Sequence, residues 1–125
     1  MIGYLEKKKG FAAIFMMIIA VEIFAISSIP GSGFAPISVD LSSLYHLIVF
    51  FLLAFFILVF ISGGKRVKSK YIFTAIALSL VYALLDEVHQ IFVPRRFFSV
   101  GDMLIDSMGI FLSTLIYLYY KRNIS

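Results

Sequence analysis

The segment that decides the fold is LYHLIVFFLLAFFILVFIS, residues Leu44–Ser62. It is 19 residues long and contains no Asp, Glu, Lys or Arg. About 20 predominantly apolar residues in a helix span the roughly 30 Å hydrocarbon core of a bilayer. A helix that is apolar on every side needs either the core of a large protein or a membrane. A chain of 125 residues cannot supply such a core, so the segment predicts a transmembrane helix.

Three further apolar runs accompany it, at about residues 11–29, 71–92 and 102–120. Charged residues make up 14% of the chain, whereas about 25% is usual in soluble domains. Backbone groups in lipid must be satisfied within each segment, which favours helices. Because cysteine is absent, disulfides and thiolate metal sites are excluded. We expect one all-α domain over residues 1–125, a four-helix transmembrane bundle with spans at about 11–29, 44–62, 71–92 and 102–120.

The basic residues predict the orientation of the bundle. Nine of the eleven Lys and Arg residues flank the spans on one side, which marks the cytoplasmic side. They are Lys7, Lys8, Lys9, Lys65, Arg66, Lys68, Lys70, Lys121 and Arg122. Both termini are therefore expected in the cytoplasm, and the protein in the cell (plasma) membrane as a multi-pass protein. This clustering between spans also argues against nucleic acid as the partner of the net charge of +4.

The first span has an alternative interpretation as a secretory signal. Three lysines, an apolar stretch and the small residues around Ala25 resemble a cleavable signal peptide. The apolar run is long for a signal core, however, and it contains Glu22. We therefore expect the segment to be retained as a membrane span.

The acidic residues gather on the side opposite to the basic clusters. Six of seven fall there, with both histidines, whereas Glu6 is cytoplasmic. The six are Glu22, Asp40, Asp86, Glu87, Asp102 and Asp106. Glu22, Glu87 and Asp106 lie roughly 6–10 Å inside their helix ends, and a charge at mid-membrane costs about 2.5–3.5 kcal/mol. We predict a shared polar pocket that includes these three and His46; the alternative is separate structural roles, with Asp40, Asp86 and Asp102 marking helix ends.

Small residues at helical spacing support this convergence. Stripes of small side chains allow membrane helices to approach closely. The third span has Ala75, Ser79, Ala83 and Glu87 every four residues, and the fourth has Asp102, Asp106, Gly109 and Ser113 on one face. Ordinary packing with incidental acids remains the alternative. Tyr117, Tyr119 and Tyr120 are interpreted as an inner aromatic belt.

Three polar side chains leave alternative roles open. His46 can be a metal ligand, a proton shuttle or an interfacial hydrogen-bonding residue. Two histidines and several carboxylates could hold a divalent metal, but no spacing matches an established metal motif such as H-E-x-x-H. The sequence signal for a metal is therefore weak, and we assign no metal site and no cofactor from it. Arg95 and Arg96, which oppose the orientation bias, either pair with Asp86 or Asp102 or grip an anionic headgroup.

Residues 86–109 read DEVHQIFVPRRFFSVGDMLIDSMG. This block resembles the signature of the VanZ-like membrane family. That signature begins with an acidic pair followed by Gln and continues with Phe, Pro, Arg and Ser. It ends with an Asp, a second position that is Asp or Asn, and a Gly. The matching positions are Glu87, Gln90, Phe92, Pro94, Arg96, Ser99, Asp102, Asp106 and Gly109. Weaker features are His46 with Phe50 on the second span, and Ser27, Ser28 and Pro30 after the first. The resemblance covers all four spans.

The chain departs from the family pattern at three positions. Arg95 stands where the family often has Gly, Ser113 replaces a frequent second Gly, and Ser43 stands where Lys commonly precedes the His. The resemblance implies a bacterial or archaeal membrane protein whose family is linked through its namesake to teicoplanin resistance. It implies no mechanism.

The leading functional hypothesis is that the protein binds or handles a cell-envelope amphiphile, meaning a lipid, a lipid-linked precursor or a lipoglycopeptide. The expected ligand-binding residues are Glu22, His46, Glu87, Gln90, Arg95, Arg96, Asp102 and Asp106. One alternative is a membrane-embedded enzyme that acts on the headgroup by general acid/base or metal-assisted chemistry, with Glu87, His46 and Asp106 as catalytic candidates. Another is a proton-coupled carrier or assembly subunit. The expected partner is a membrane lipid or lipid-linked component; homo-oligomerisation stays open.

The orientation can be tested with single cysteines in this cysteine-free chain. Cysteines at Ser32 and Phe98 are expected to react with a membrane-impermeant thiol reagent added to intact cells. A cysteine at Ser69 is expected to react only after permeabilisation. Labelling of Ser69→Cys in intact cells would show that the orientation is the opposite one, with the acidic residues on the cytoplasmic side.

Overall fold

The computed structural model describes residues 1–31 and 41–124. It contains five helices: α1 (Ile2–Lys7), α2 (Lys9–Ser27), α3 (Leu41–Ser62), α4 (Ser69–Ile91) and α5 (Val100–Ile124). Helices α2 to α5 are each long and apolar enough to cross a membrane, and the described residues contain no strand. The predicted all-α architecture with four spans is therefore confirmed.

Helix α3 lies at the centre of the bundle. It packs against α1, α2, α4 and α5. Its buried apolar side chains recur at intervals of three and four residues and so form two adjoining stripes. They are Val49, Phe50, Leu53, Ala54, Ile57, Leu58 and Val59. The peripheral helices instead expose large apolar side chains, such as Ile18 on α2 and Leu115 on α5. A bilayer solvates these groups directly, so the arrangement is that of a protein surrounded by lipid.

Helices α3 and α5 touch backbone to backbone at Gly109. A Cβ added there would lie 2.5 Å from the carbonyl oxygen of Leu47 and 3.1 Å from the amide nitrogen of Phe51. The α5 face that contacts α3 continues with other fully buried side chains, namely Asp106, Ile110, Ser113 and Tyr117. The absence of a side chain at Gly109 is thus what allows the two helices to approach closely.

The small-residue stripe of α4 also faces the interior. Ala75, Ser79, Ala83 and Glu87 are all buried, with no more than 1% of any of them exposed. The Ser79 hydroxyl donates to the carbonyl of Ala75, 2.8 Å away, which satisfies it within its own helix. The stripe therefore brings α4 close to its neighbours and ends at a buried carboxylate.

The interpretation of Tyr117 as part of an aromatic belt is wrong. Tyr117 is fully buried, and its hydroxyl donates to a carboxylate oxygen of Glu6 in α1. Lys121 Nζ lies 2.6 Å from the other Glu6 oxygen. A buried tyrosine hydroxyl needs a partner, and Glu6 supplies one. These contacts place both termini at one end of the bundle; that this end is cytoplasmic stays a prediction.

Gly109→Ala is expected to destabilise the bundle. The new Cβ would meet backbone atoms of α3, which cannot move aside as a side chain would. The expected loss is about 1–3 kcal/mol, measured as a lower midpoint of thermal unfolding in detergent.

Gly101→Ala is the matched control. Its Cβ would meet no atom closer than 3.5 Å, at the Ser99 hydroxyl. Since alanine has the higher helix propensity, this variant should be at least as stable as the original chain. Equal unfolding midpoints for the two variants would contradict the close α3–α5 contact.

Candidate functional site

Polar side chains converge at the end of the bundle opposite to the termini, where α2 and α4 end and α3 and α5 begin. Five of them are buried and Asp102 is half-buried. We call this group the polar cluster: His46, Asp86, Glu87, Gln90, Asp102 and Asp106. Glu87 and Asp106 have no exposed surface at all. The cluster combines one imidazole, four carboxyl groups and one amide on three helices.

A hydrogen bond joins His46 on α3 to Asp106 on α5. The distance between His46 Nδ1 and Asp106 Oδ1 is 2.9 Å. An ionised carboxylate can only accept, so Nδ1 is the donor when Asp106 is charged. The bond lies one helical turn before Gly109, where the two helices are closest. It therefore fixes the orientation of the imidazole and leaves Nε2 as the ring nitrogen available to a ligand.

Glu87 is held at the N-terminus of α5. Its Oε2 atom accepts a hydrogen bond of 2.8 Å from the Ser99 amide, and the Ser99 hydroxyl accepts one of 3.1 Å from the Asp102 amide. Ser99 directly precedes α5 and so acts as its N-cap. The N-terminus of a helix carries partial positive charge, which stabilises an adjacent carboxylate. The last turn of α4 and the first turn of α5 are thus connected through Glu87.

Three carboxyl oxygens of the cluster lack a partner. Glu87 Oε1, Asp106 Oδ2 and Asp86 Oδ2 are buried and make no hydrogen bond with any described residue. Leaving a buried polar group unpaired costs about 1–3 kcal/mol. Buried carboxyl groups in this condition call for a proton, a water molecule, an ion or a ligand. The cluster therefore has binding capacity that the protein itself does not use.

A cavity of about 250 Å³ lies beside the cluster. It is lined by Ile26, Ser27, Ser42, Tyr45, His46, Gln90 and Arg96. His46 and Gln90 belong to the polar cluster, whereas Arg96 contributes a positive charge from the α4–α5 connection. The cavity therefore offers both hydrogen-bond donors and a cation next to the buried acids.

The side chain of Arg96 is anchored to the end of α2. Its Nε atom donates to the carbonyl oxygen of Ile29 at 3.0 Å. The Gly31 amide donates to the Pro94 carbonyl, also at 3.0 Å, so the two connections contact each other directly. A side chain at Gly31 would overlap the carbonyl of Arg95. Close contact between these segments thus depends on glycine and positions Arg96 at the cavity.

His89 makes a further connection between α4 and α2. Its Nε2 atom lies 2.9 Å from the Ser28 hydroxyl, and its ring stacks on Phe24 with 4.7 Å between ring centroids. His89 thus contacts α2, whereas His46 contacts α5. The two histidines have different surroundings at the same end of the bundle.

The residues expected from the sequence divide into two groups. The structure gathers His46, Glu87, Gln90, Asp102 and Asp106 in the polar cluster and places Arg96 at the adjoining cavity. Two others are exposed and do not join them: Glu22, on α2 near Tyr45, and Arg95. Asp40 lies outside the described residues.

Sequence reasoning did not include Asp86 or Tyr45 among the site residues, and it named Ser99 only as a signature position without its capping role. Ser99 precedes Asp102 by three residues, which is the spacing of a helix capping box and was a readable signal. Tyr45 follows from no local pattern, because its place at the cavity depends on how α2 packs beside α3.

The opposite end of the bundle is basic. A cavity of about 490 Å³ there is lined by Gly64, Lys65, Arg66, Val67, Leu118, Lys121 and Arg122. The two ends thus differ in the sign of their charge. Any measurement of anionic ligands must separate this basic cavity from the one at Arg96.

The fold and the cluster define a multi-pass α-helical membrane protein with acids and a histidine buried at one end. Residues 7–121 match the family model described as VanZ/LLP1. The match covers nearly the whole chain, so the protein belongs to the VanZ/LLP1 family, and the resemblance seen in residues 86–109 is confirmed. No curated protein and no solved structure matches the chain significantly.

Arg95→Gly is expected to keep or raise stability. Arg95 has a φ of 61°, in the left-handed region, where a side chain costs about 1–2 kcal/mol. Glycine removes this strain and loses about 0.5–1 kcal/mol through greater freedom in the unfolded chain. The unfolding midpoint in detergent should therefore stay equal or rise by a few degrees.

Arg95→Val is the contrasting variant. A β-branched residue is poorly suited to a positive φ, so its unfolding midpoint should fall below that of the original chain. If valine and glycine at this position gave the same midpoint, the left-handed conformation would not be a determinant of stability.

Proposed function

We propose that this protein binds a cell-envelope amphiphile through an anionic headgroup at the cavity beside the polar cluster. The observation that carries the proposal is the anchored Arg96. Its Nε atom is used by Ile29, while its two Nη groups make no hydrogen bond with any described residue. A guanidinium held in this way is preorganised for the paired oxygens of a phosphate or carboxylate.

The size of the cavity indicates that the headgroup is the part of the amphiphile that enters it. A volume of about 250 Å³ is below the roughly 300–1,000 Å³ that encloses a drug-sized ligand. It suits a phosphate or carboxylate head and is too small for the core of a glycopeptide. Gln90 and His46 would add hydrogen bonds to the ligand from the cavity wall.

The surroundings of the cavity suit an apolar tail. Ile26 lines the cavity and is 36% exposed, and Leu44 and Ile48 on α3 are about half exposed. An acyl or prenyl chain can lie along these side chains within the lipid while its head occupies the cavity. With the expected orientation, the headgroup would belong to the outer leaflet of the cell membrane.

A second candidate function is catalysis on the bound headgroup. The His46–Asp106 hydrogen bond, with Glu87 in the same cluster, has the form of a base oriented by a carboxylate. In that case the imidazole would take a proton from a water molecule that attacks the phosphate ester, and the lipid alcohol would leave with a proton. His46→Gln would then abolish release of inorganic phosphate from a phosphorylated lipid and leave lipid retention measurable. Retention without release from the original chain would favour the binder.

Arg96→Lys is expected to reduce retention of anionic amphiphiles about tenfold. A lysine ammonium cannot reproduce the bidentate guanidinium contact. A tenfold loss corresponds to roughly 1.4 kcal/mol, which is about the contribution of one hydrogen bond to a charged group. The measurement is native mass spectrometry of the full chain in mild detergent. A polyprenyl phosphate and phosphatidylglycerol serve as anionic probes, with phosphatidylcholine as the neutral reference.

Arg95→Lys is the matched control, because it makes the same chemical change at the adjacent, exposed arginine. It should retain the anionic probes as the original chain does. Any anionic probe bound at the basic cavity of the opposite end is retained equally by all variants, so it forms the background of the measurement. Equal losses for Arg95→Lys and Arg96→Lys, or retention unchanged in both, would contradict the proposal.

A further inference from the structure

We propose that His46, Glu87 and Asp102 bind one divalent transition-metal ion where α3, α4 and α5 meet. Each of these residues offers one ligand atom, and the three atoms lie within 4.8 Å of one another. Atoms bound to the same ion at about 2.0–2.2 Å are separated by no more than roughly twice that distance. Small side-chain adjustments therefore suffice to bring all three onto one ion.

The unpartnered oxygen of Glu87 is the second observation that points to a ligand. Glu87 is fully buried; Oε2 is used by the Ser99 amide, whereas Oε1 makes no hydrogen bond with any described residue. A metal ion would satisfy this atom without displacing the contact to Ser99. The buried acid thus has one oxygen for the fold and one for a ligand.

Asp106 acts as the positioning residue of the site. It bonds to His46 Nδ1 at 2.9 Å and so directs Nε2 toward a ligand. Histidine ligands of metals commonly donate their other ring N–H to a carboxylate in this way. The contact with Asp106 therefore orients His46 as a metal-binding histidine is usually oriented, and it also stabilises the packing of α3 against α5.

Charge balance supports a cation at this position. The polar cluster has four carboxyl groups, and the imidazole of His46 together with Arg96 at the adjoining cavity supplies at most two positive charges. Like charges in a poorly solvated region repel strongly. One divalent ion would offset two negative charges. It would also leave coordination positions that water or an anionic headgroup can fill, although metal binding does not depend on the proposed amphiphile.

The ligand set indicates the class of metal. Imidazole nitrogen suits Zn²⁺ and the neighbouring transition metals, whereas carboxylate and water oxygens suit Mn²⁺ as well as Mg²⁺ and Ca²⁺. One nitrogen with carboxylate oxygens is compatible with both Zn²⁺ and Mn²⁺. The sequence predicted no metal site because these three ligands come from different helices, and no local spacing connects them.

The test uses the full chain in phosphatidylcholine nanodiscs, freed of metal by a chelator and then titrated with Mn²⁺. Electron paramagnetic resonance of the free ion counts what is bound. We expect one Mn²⁺ per chain, displaced by Zn²⁺ but not by an equal concentration of Mg²⁺. Since no anionic lipid is present, failure here would leave the proposed headgroup binding untouched. Absence of stoichiometric Mn²⁺ binding overturns the metal site.

Paired variants locate the ion. Glu87→Gln keeps the shape of the side chain and an oxygen for the Ser99 amide, and it should weaken Mn²⁺ binding at least tenfold. Glu22→Gln makes the same change on an exposed α2 residue and should alter binding less than twofold. Equal weakening by both variants would mean that general negative charge, and not this site, holds the ion.

The histidines give a readout that does not depend on affinity. Spin-echo modulation from a histidine nitrogen should appear with bound Mn²⁺ in the original chain. It should persist in His89→Gln, since His89 contacts Ser28, and disappear in His46→Gln. Bound Mn²⁺ without nitrogen modulation in the original chain, or modulation lost in His89→Gln but kept in His46→Gln, overturns the assignment of His46 as a ligand.

Discussion

The hydrogen bond between His46 and Asp106 is the interaction on which the polar end of the bundle depends. Both side chains are buried, and each would be costly in lipid without the other. The bond joins the central helix α3 to α5 one turn from Gly109, where the two backbones meet. It therefore aligns two helices and orients an imidazole at the same time. Removal of either partner would affect packing and chemistry together.

The remaining contacts at this end extend from that pair. Glu87 holds the first turn of α5 through Ser99, and Arg96 reaches the end of α2 through Ile29. All four membrane-spanning helices are thereby connected within a short distance by polar contacts. Such polar contacts specify which helix faces pair with each other. Apolar packing alone does not, because lipid chains compete with apolar side chains for every helix surface. The same contacts leave oxygens and guanidinium nitrogens unused, which is why the fold and the proposed binding site occupy the same residues.

The sequence predicted the membrane spans, the acidic character of one end and most members of the cluster. It succeeded because charge is expensive in a membrane, so the acids of the third and fourth apolar runs share a polar environment with His46 of the second. It failed at Glu6 and Tyr117, which lie more than a hundred residues apart and form a buried contact at the other end. It also grouped Glu22 with the cluster, whereas the rotation of α2 leaves that side chain exposed.

By itself, the sequence determined the number of spans, the gathering of acids at one end and, through residues 86–109, the family. These properties follow from hydrophobicity, helical rise and local motif, each of which is carried by neighbouring residues. Only the tertiary structure decided that His46 faces Asp106, that Glu87 has one oxygen in use and one unpaired, and that Arg95 has a positive φ. These features depend on how the helices are rotated and how far apart they lie. Long-range packing sets that geometry, and the spacing of residues within one segment does not reveal it.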